Sequence, residues 1–183
     1  MREKKKLFGE ERRNLILSLL KNANTPITGG ELAKRTNVSR QVIVNDVTLL
    51  KARKEPIIAT SQGYMYLSPK ADRSVEKTIA CQHTPDQAEA ELIILVDHGI
   101  TVKDVTIEHL VYGDLTASIM VSNRKEVEQF IHKITSTGAA YLSELTGGVH
   151  LHTLLADKEE QLNEAEMALK QAGFLMETNE MRE

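Results

Sequence analysis

Two helix starts stand eleven residues apart, at Thr28 and Ser39, and they constrain the first third of the chain more tightly than any other feature. A hydroxyl at the N-cap accepts one of the backbone N–H groups that a helix leaves unpaired at its start. The first of these helices carries Leu32 and Ala33 and stops near Thr36-Asn37, so it is short. The second runs from Arg40 to about Arg53 and places Ile43, Val47 and Leu50 on one inward stripe. Ahead of both, Glu10 to Lys21 forms a helix bearing Ile16, Leu19 and Leu20, and Thr25-Pro26 interrupts it. Two short helices joined by a tight turn read as helix-turn-helix. After Pro56, Ile57–Thr60 and Tyr64–Leu67 flank the turn Ser61-Gln62-Gly63 and make a small hairpin, the wing of a winged helix-turn-helix over residues 1–69.

Charge supports a division of labour. Residues 1–70 carry 14 Lys/Arg against 6 Asp/Glu, and residues 71–183 carry 9 against 20. A net +8 beside a net −11 within a chain of net −3 points to an anion-binding first part and a differently employed second part. The outward face of the third helix presents Arg40, Gln41, Val44, Asn45 and Thr48. Arginine pairs with guanine edges and Gln or Asn with adenine, while Ser39 at the helix start suits a phosphate. The DNA-contacting candidates are therefore Ser39, Arg40, Gln41, Asn45 and Thr48. A helical interaction module with a merely solvated basic face is the alternative. Cys81 is the single cysteine, which rules out an intrachain disulfide framework and suits a reducing cytoplasm. No apolar run approaches the ~20 residues of a membrane span, and the opening Met1-Arg2-Glu3-Lys4-Lys5-Lys6 lacks a signal-peptide hydrophobic stretch. The expectation is a soluble cytoplasmic protein.

The polar, proline-containing run Ser68-Pro69-Lys70-Ala71-Asp72-Arg73-Ser74 reads as a linker. A second domain spans residues 76–183. Its first strand, Lys77 to Gln82, leads to His83 and then to Thr84-Pro85-Asp86-Gln87, a capped helix start. That helix runs through His98 to Gly99 with Ala88, Glu91, Leu92 and Leu95 inward. Glu91 breaks the stripe. A buried carboxylate needs compensation by a metal cation, an arginine or a hydrogen-bond network, unless it escapes to water at the flank. Two strands follow, one with Val105, Ile107 and His109 in phase, the other with Leu115, Ala117, Ile119 and Val121, joined by Tyr112-Gly113-Asp114. A lone histidine in an apolar phase, as at His109, is more often a core residue than a ligand. Asn123 with Glu126 caps a helix facing inward through Val127, Phe130, Ile131 and Ile134, with His132 off the stripe.

The run Gly147-Gly148-Val149-His150-Leu151-His152-Thr153 then makes a strand. Alternation puts His150 and His152 on one face, about 7 Å apart along the strand. Imidazoles so placed can converge on one metal ion, or can simply line a wet strand face. Val149 and Leu151 are apolar on the opposite face, so periodicity does not say which face meets the helices. Asp157 with Glu160 caps a last helix with Leu162, Ala165 and Leu169 inward, stopped at Gly173. A final strand Phe174–Met176 and frayed residues 178–183 complete the chain. The order β-α-β-β-α-β-α with antiparallel or mixed strands indicates an α+β sandwich.

Across nearly its whole length the chain resembles the niacin-responsive transcriptional repressors, in which a winged helix precedes a three-histidine (3H) domain. The resemblance rests on Ser39-Arg40-Gln41-Val42-Ile43-Val44, on His83 followed eight residues later by Glu91, on Val105 through Gly113, and on Leu145 through Thr153. It implies an α+β architecture with a mostly antiparallel sheet in the 3H domain. It implies a divalent ion, nickel or zinc, held by His83, Glu91, His150 and His152, a borderline N/O donor set suited to those metals. It further implies sensing of nicotinic acid and repression of niacin transport, salvage or NAD-synthesis genes. Nicotinic acid is expected as co-repressor, because product sensing shuts uptake when niacin is plentiful, and a homodimer would place two reading helices in successive major grooves of a double-stranded DNA operator. His109, Tyr112 and Arg124 are candidates for the nicotinate pocket, Arg124 because a guanidinium holds a carboxylate bidentately. Two rivals remain: a regulator for which the metal itself is the signal, and a metal-dependent enzyme fused to a DNA-binding module. Four protein ligands argue against the enzyme, since catalytic zinc usually keeps three and an open water. No Ser/His/Asp or Cys/His arrangement and no phosphate-cradling glycine loop is present, so the expectation is no enzymatic activity.

Overall fold

Thr28 and Ser39 both cap helices in the computed structural model, which describes residues 8–67 and 74–176. Thr28 Oγ1 accepts from the Glu31 N–H at 3.1 Å, and Ser39 Oγ from the Val42 N–H at 3.4 Å. The chain divides into two units, Met1–Asp72 and Arg73–Glu183. The first holds α1 (Gly9–Lys21), α2 (Gly29–Thr36), α3 (Arg40–Ala52) and the antiparallel pair β1 (Ile57–Ala59) and β2 (Tyr64–Tyr66). Asn37 takes a left-handed conformation, φ 55°, and so turns the chain sharply between α2 and α3. Ile16, Leu20, Leu32, Ile43, Val47, Leu50 and Ile57 form one buried cluster. One acidic residue sits inside that stripe: Asp46 is buried and bound by Arg12 Nε at 2.5 Å and Arg13 Nη1 at 3.3 Å. Ile27 pairs with Tyr64, bringing the start of α2 against the wing. Gly63 permits it, because a Cβ there would stand 2.6 Å from the Ile27 carbonyl oxygen.

The second unit contains β3 (Val75–Gln82), α4 (Ala88–Asp97), β4 (Thr101–His109), β5 (Gly113–Val121), α5 (Arg124–Thr137), β6 (Val149–Ala156) and α6 (Glu159–Ala172). Short 3-10 turns precede α4 at Pro85–Gln87 and β6 at Leu142–Thr146. The sheet order is β3-β6-β4-β5 with every neighbouring pair antiparallel. Side chains from α4, α5 and α6 share one core with Ile79, Val102, Ile119, Val121, Leu154 and Ala156. Each large aliphatic side chain buried there contributes roughly 1.5–3 kcal/mol. All three helices thus cover one sheet face and leave the other open, and this decides what periodicity leaves undecided. His150 and His152 turn toward the helices and are buried, while Val149 and Leu151 lie on the open face.

The expected strand after α6 is a single bridge, Leu175 to Cys81, supported by backbone hydrogen bonds from Gln82 to Phe174 and from Met176 to Ala80. Residues 68–73 of the expected linker, and residues 178–183, lie outside the described residues. Among the described residues no helix is long and apolar enough to cross a membrane.

Candidate metal centre and nucleic-acid interface

Three imidazoles meet one carboxylate where β3, α4 and β6 come together. Glu91, in the first turn of α4 and only 1 % exposed, points its Oε2 at His83 Nε2 at 2.7 Å. The same oxygen lies 3.3 Å from His150 Nε2 and 3.3 Å from His152 Nε2. His83 and His150 rings stand edge to face at 4.9 Å, and His150 and His152 at 4.8 Å. Each side chain is delivered by local sequence. Gln87 Oε1 accepts from the Thr84 N–H at 3.1 Å and fixes the corner between His83 and α4. A β-bulge at Val102/Asp104 presents the Asp104 carbonyl to His152. Gly148, at φ 93°, lets the strand start pass directly against His83, because a Cβ there would overlap the His83 carbonyl oxygen.

Backbone carbonyls fix which nitrogen of each ring carries hydrogen. His83 Nδ1 faces the Thr84 carbonyl at 2.8 Å, His150 Nδ1 the Gly148 carbonyl at 2.8 Å, and His152 Nδ1 the Asp104 carbonyl at 2.7 Å. A carbonyl only accepts, so all three Nδ1 atoms carry hydrogen and donate. A neutral ring then has only a lone pair at Nε2, and all three lone pairs face a carboxylate that is itself an acceptor. Glu91 Oε1 is buried with no hydrogen-bond partner. Four acceptors facing one another need positive charge between them. Burial pushes the Glu91 carboxyl up; only rings protonated at Nε2 as well as Nδ1 would supply the His152 charge and the histidine hydrogen bonds that outweigh it and hold the group well below the usual carboxylate range. For His83 and His152 burial lowers the pKa, but Glu91 prevails and raises both. Protons could supply the charge only by burying several imidazoliums together. A divalent cation fits the donor chemistry better: it would take lone pairs and carboxylate together, and Nδ1–carbonyl bonds are the kind of outer contact that orients a metal-bound histidine.

Other candidate positions fall elsewhere. His109 ends β4, where its Nδ1 accepts from the Val111 and Tyr112 N–H groups at 3.2 and 3.3 Å and its ring lies 5.0 Å from that of Tyr112. Arg124 opens α5 with its guanidinium taken by Asp97. Tyr112 and Arg124 lie beyond opposite ends of the nine-residue β5, so roughly 25 Å or more of strand separates them. The three therefore do not line one pocket. At the start and on the outer face of α3, Ser39, Arg40, Gln41, Asn45 and Thr48 are all exposed, and Gln41 Nε2 donates to Asn45 Oδ1 at 3.2 Å, pairing two of these side chains on one helical face.

Sequence reasoning missed Cys81. Its Sγ, a Glu91 oxygen and a His150 nitrogen all lie within 4.8 Å of one another. The available signal is phase, since Cys81 and His83 are two residues apart on the same side of the strand. Cysteine ordinarily reads as core, and Cys81 is indeed fully buried.

Residues 12–65 match an HTH domain family and residues 76–178 the 3H domain family. The chain is 58 % identical over 178 residues to a protein of Bacillus subtilis (strain 168) named "Transcription repressor NadR", covering 96 % of this chain and 99 % of that one. It is 37 % identical over 172 residues to a Thermotoga maritima protein named "Probable transcription repressor NiaR", covering 94 % and 97 %.

Proposed function

Because the chain belongs to the 3H-domain family, in the branch of transcription repressors that carry an HTH domain ahead of it, we propose that it is a cytoplasmic, homodimeric repressor whose co-repressor is nicotinic acid, bound beside a nickel or zinc ion in residues 76–183. The observation that carries the sensor half of this reading is the convergence of three Nε2 atoms on Glu91 Oε2, with every Nδ1 already committed to a carbonyl. His83, Glu91, His150 and His152 would hold the ion. When bound, it supplies a Lewis-acid position to which a pyridine nitrogen or carboxylate can bind.

The protein's own part is preorganisation. Thr84, Gly148 and Asp104 carbonyls fix the tautomer and tilt of each ring, and α4 brings Glu91 down over the sheet. In the basic unit, Arg40, Gln41 and Asn45 would read base edges, with Ser39 and Thr48 beside them, and surrounding lysines and arginines would supply salt-dependent phosphate contacts. Nicotinate can tighten operator binding only by as much as its own affinity differs between the DNA-competent and incompetent arrangements. Genes of niacin uptake, salvage or NAD synthesis are the expected targets, because a repressor activated by the vitamin shuts its acquisition when supply is plentiful.

Two measurements test this. DNA enriched by the full-length protein from a random-sequence pool is labelled, and its binding is followed by fluorescence anisotropy with nickel present. Added nicotinate should tighten binding; release of DNA or indifference overturns the co-repressor assignment. Calorimetric titration of nicotinate into nickel-loaded and chelator-stripped protein should show binding in the loaded form alone, and equal affinities would remove the ion from the ligand site. The full burial of the donor set also favours a second reading, in which the ion is itself the signal. In that case DNA affinity follows nickel or zinc concentration and ignores nicotinate.

A further inference from the structure

The cluster contains one donor that the three-histidine, one-glutamate set leaves out. Cys81 is 0 % exposed and stands directly opposite His150 in the β3–β6 register. Its Sγ lies within 4.8 Å of both a Glu91 oxygen and a His150 nitrogen. Leu175 bridges to Cys81 from the other side, so β3 is paired along both edges at this residue and the sulfur is held in place. A second observation lies on the carboxylate that faces the sulfur. Glu91 Oε1 is buried without a hydrogen-bond partner, so the carboxylate has a second oxygen left to be satisfied inside the cluster.

We propose that Cys81 is a sulfur donor to the cation bound by this cluster, which makes the full donor set three imidazole nitrogens, one carboxylate oxygen and one thiolate. The inference rests on the reading of the cluster as a metal centre and goes beyond the ligands that reading names. On binding, the S–H bond breaks heterolytically. Its proton passes to solvent buffer, its electron pair forms the bond to the ion, and nothing is oxidised or reduced. A thiol that coordinates a divalent cation loses its proton. Sulfur biases the site toward zinc, nickel and cobalt and away from magnesium and calcium. It also gives a sensor of a small metabolite a site that an oxidant could disable.

Cobalt(II) is the probe. Titrated into the ion-free full-length protein, it reports its own binding through visible d–d bands and reports sulfur ligation through a near-ultraviolet sulfur-to-cobalt charge-transfer band. The wild type should show both. Cys81→Ser, which keeps the side-chain shape with a smaller atom, should keep the d–d bands, lose the near-ultraviolet band and bind cobalt at least about tenfold more weakly. Wild-type d–d bands without a charge-transfer band, or a band that survives in Cys81→Ser, overturn the proposal and leave the three-histidine, one-glutamate site standing. A thiol that merely donated a hydrogen bond to Glu91 would give that first result. No cobalt uptake at all refutes the metal-centre reading and this inference with it. The wild-type spectrum decides the matter even if the variant fails to fold.

Discussion

Replacing Gly148 with alanine, beside the same change at Gly147, isolates the contact that joins the two ends of the site. Both glycines have left-handed φ, 63° at Gly147 and 93° at Gly148. An alanine at either position therefore bears a conformational cost of about 1–2 kcal/mol. Their surroundings differ. A Cβ at Gly147 meets nothing within 4 Å, whereas at Gly148 it overlaps the His83 carbonyl oxygen and lies 3.1 Å from the carbonyl carbon. That obstacle is backbone and cannot rotate away, so relief requires a shift of the strand costing a further ~1–3 kcal/mol. The expected losses are about 1–2 kcal/mol for Gly147→Ala and about 2–5 kcal/mol for Gly148→Ala. Urea unfolding of the ion-free protein, followed by far-ultraviolet circular dichroism, measures them. Moving the His83 backbone also moves Nε2 away from Glu91, so competition against a chromophoric chelator should show Gly148→Ala binding nickel about 10–100-fold more weakly, with Gly147→Ala within a few-fold of wild type. If the two variants behave alike in both assays, the close approach of residue 148 to His83 is not what sets the geometry.

Further consequences can be measured directly. Glu91→Gln should keep the far-ultraviolet spectrum and lose at least about a hundredfold in nickel or zinc affinity by chelator competition, since losses from outer contacts alone reach 10–100-fold. Asp46→Ala leaves Arg12 and Arg13 without their buried partner and should destabilise the first unit by about 3 kcal/mol in urea. Hydrogen bonds from Arg53 and Arg13 hold the Glu10 carboxyl down at about 2. Its stabilisation is then complete above the ordinary value of 4.5 and disappears as pH falls toward 2, so urea midpoints of Glu10→Gln should converge with wild type at the acid end. Arg40→Ala should weaken operator binding by about 1–3 kcal/mol and relax preference at one base pair, read by anisotropy on single-substituted operators.

Much of the scaffold was legible because it is written in local chemistry. Thr28, Ser39 and Asn123 announce helix starts through hydroxyl or amide caps, and each side chain does accept the expected backbone N–H. Glu91 was legible as a conflict, a carboxylate on an apolar stripe. The orientation of the His-x-His strand was not, since apolar residues flank both phases and only the packing of all three helices on one face decides it. The Thr84, Gly148 and Asp104 carbonyls that orient the rings leave no mark in side-chain identity. Asp46 interrupts its stripe as Glu91 does, and the same reasoning applied there would have anticipated the Arg12 and Arg13 ion pairs. Within one chain the length of β5 keeps Tyr112 and Arg124 apart, a distance that residue types alone do not express.

Strand β6, the last of the four in the chain, lies between β3 and β4. A polypeptide leaving the ribosome therefore exposes His83 and Glu91 some sixty residues before the imidazoles that complete their company. No half-made molecule can capture an ion in the finished way, because the missing nitrogens ride on the strand whose insertion closes the sheet. Capture then tightens whatever topology has just formed, as ligands that bind only native chains do. On the proposed reading of the cluster as a nickel or zinc centre, a cell short of the metal should mature this chain more slowly and lose it to proteases sooner, so its abundance would follow the metal supply.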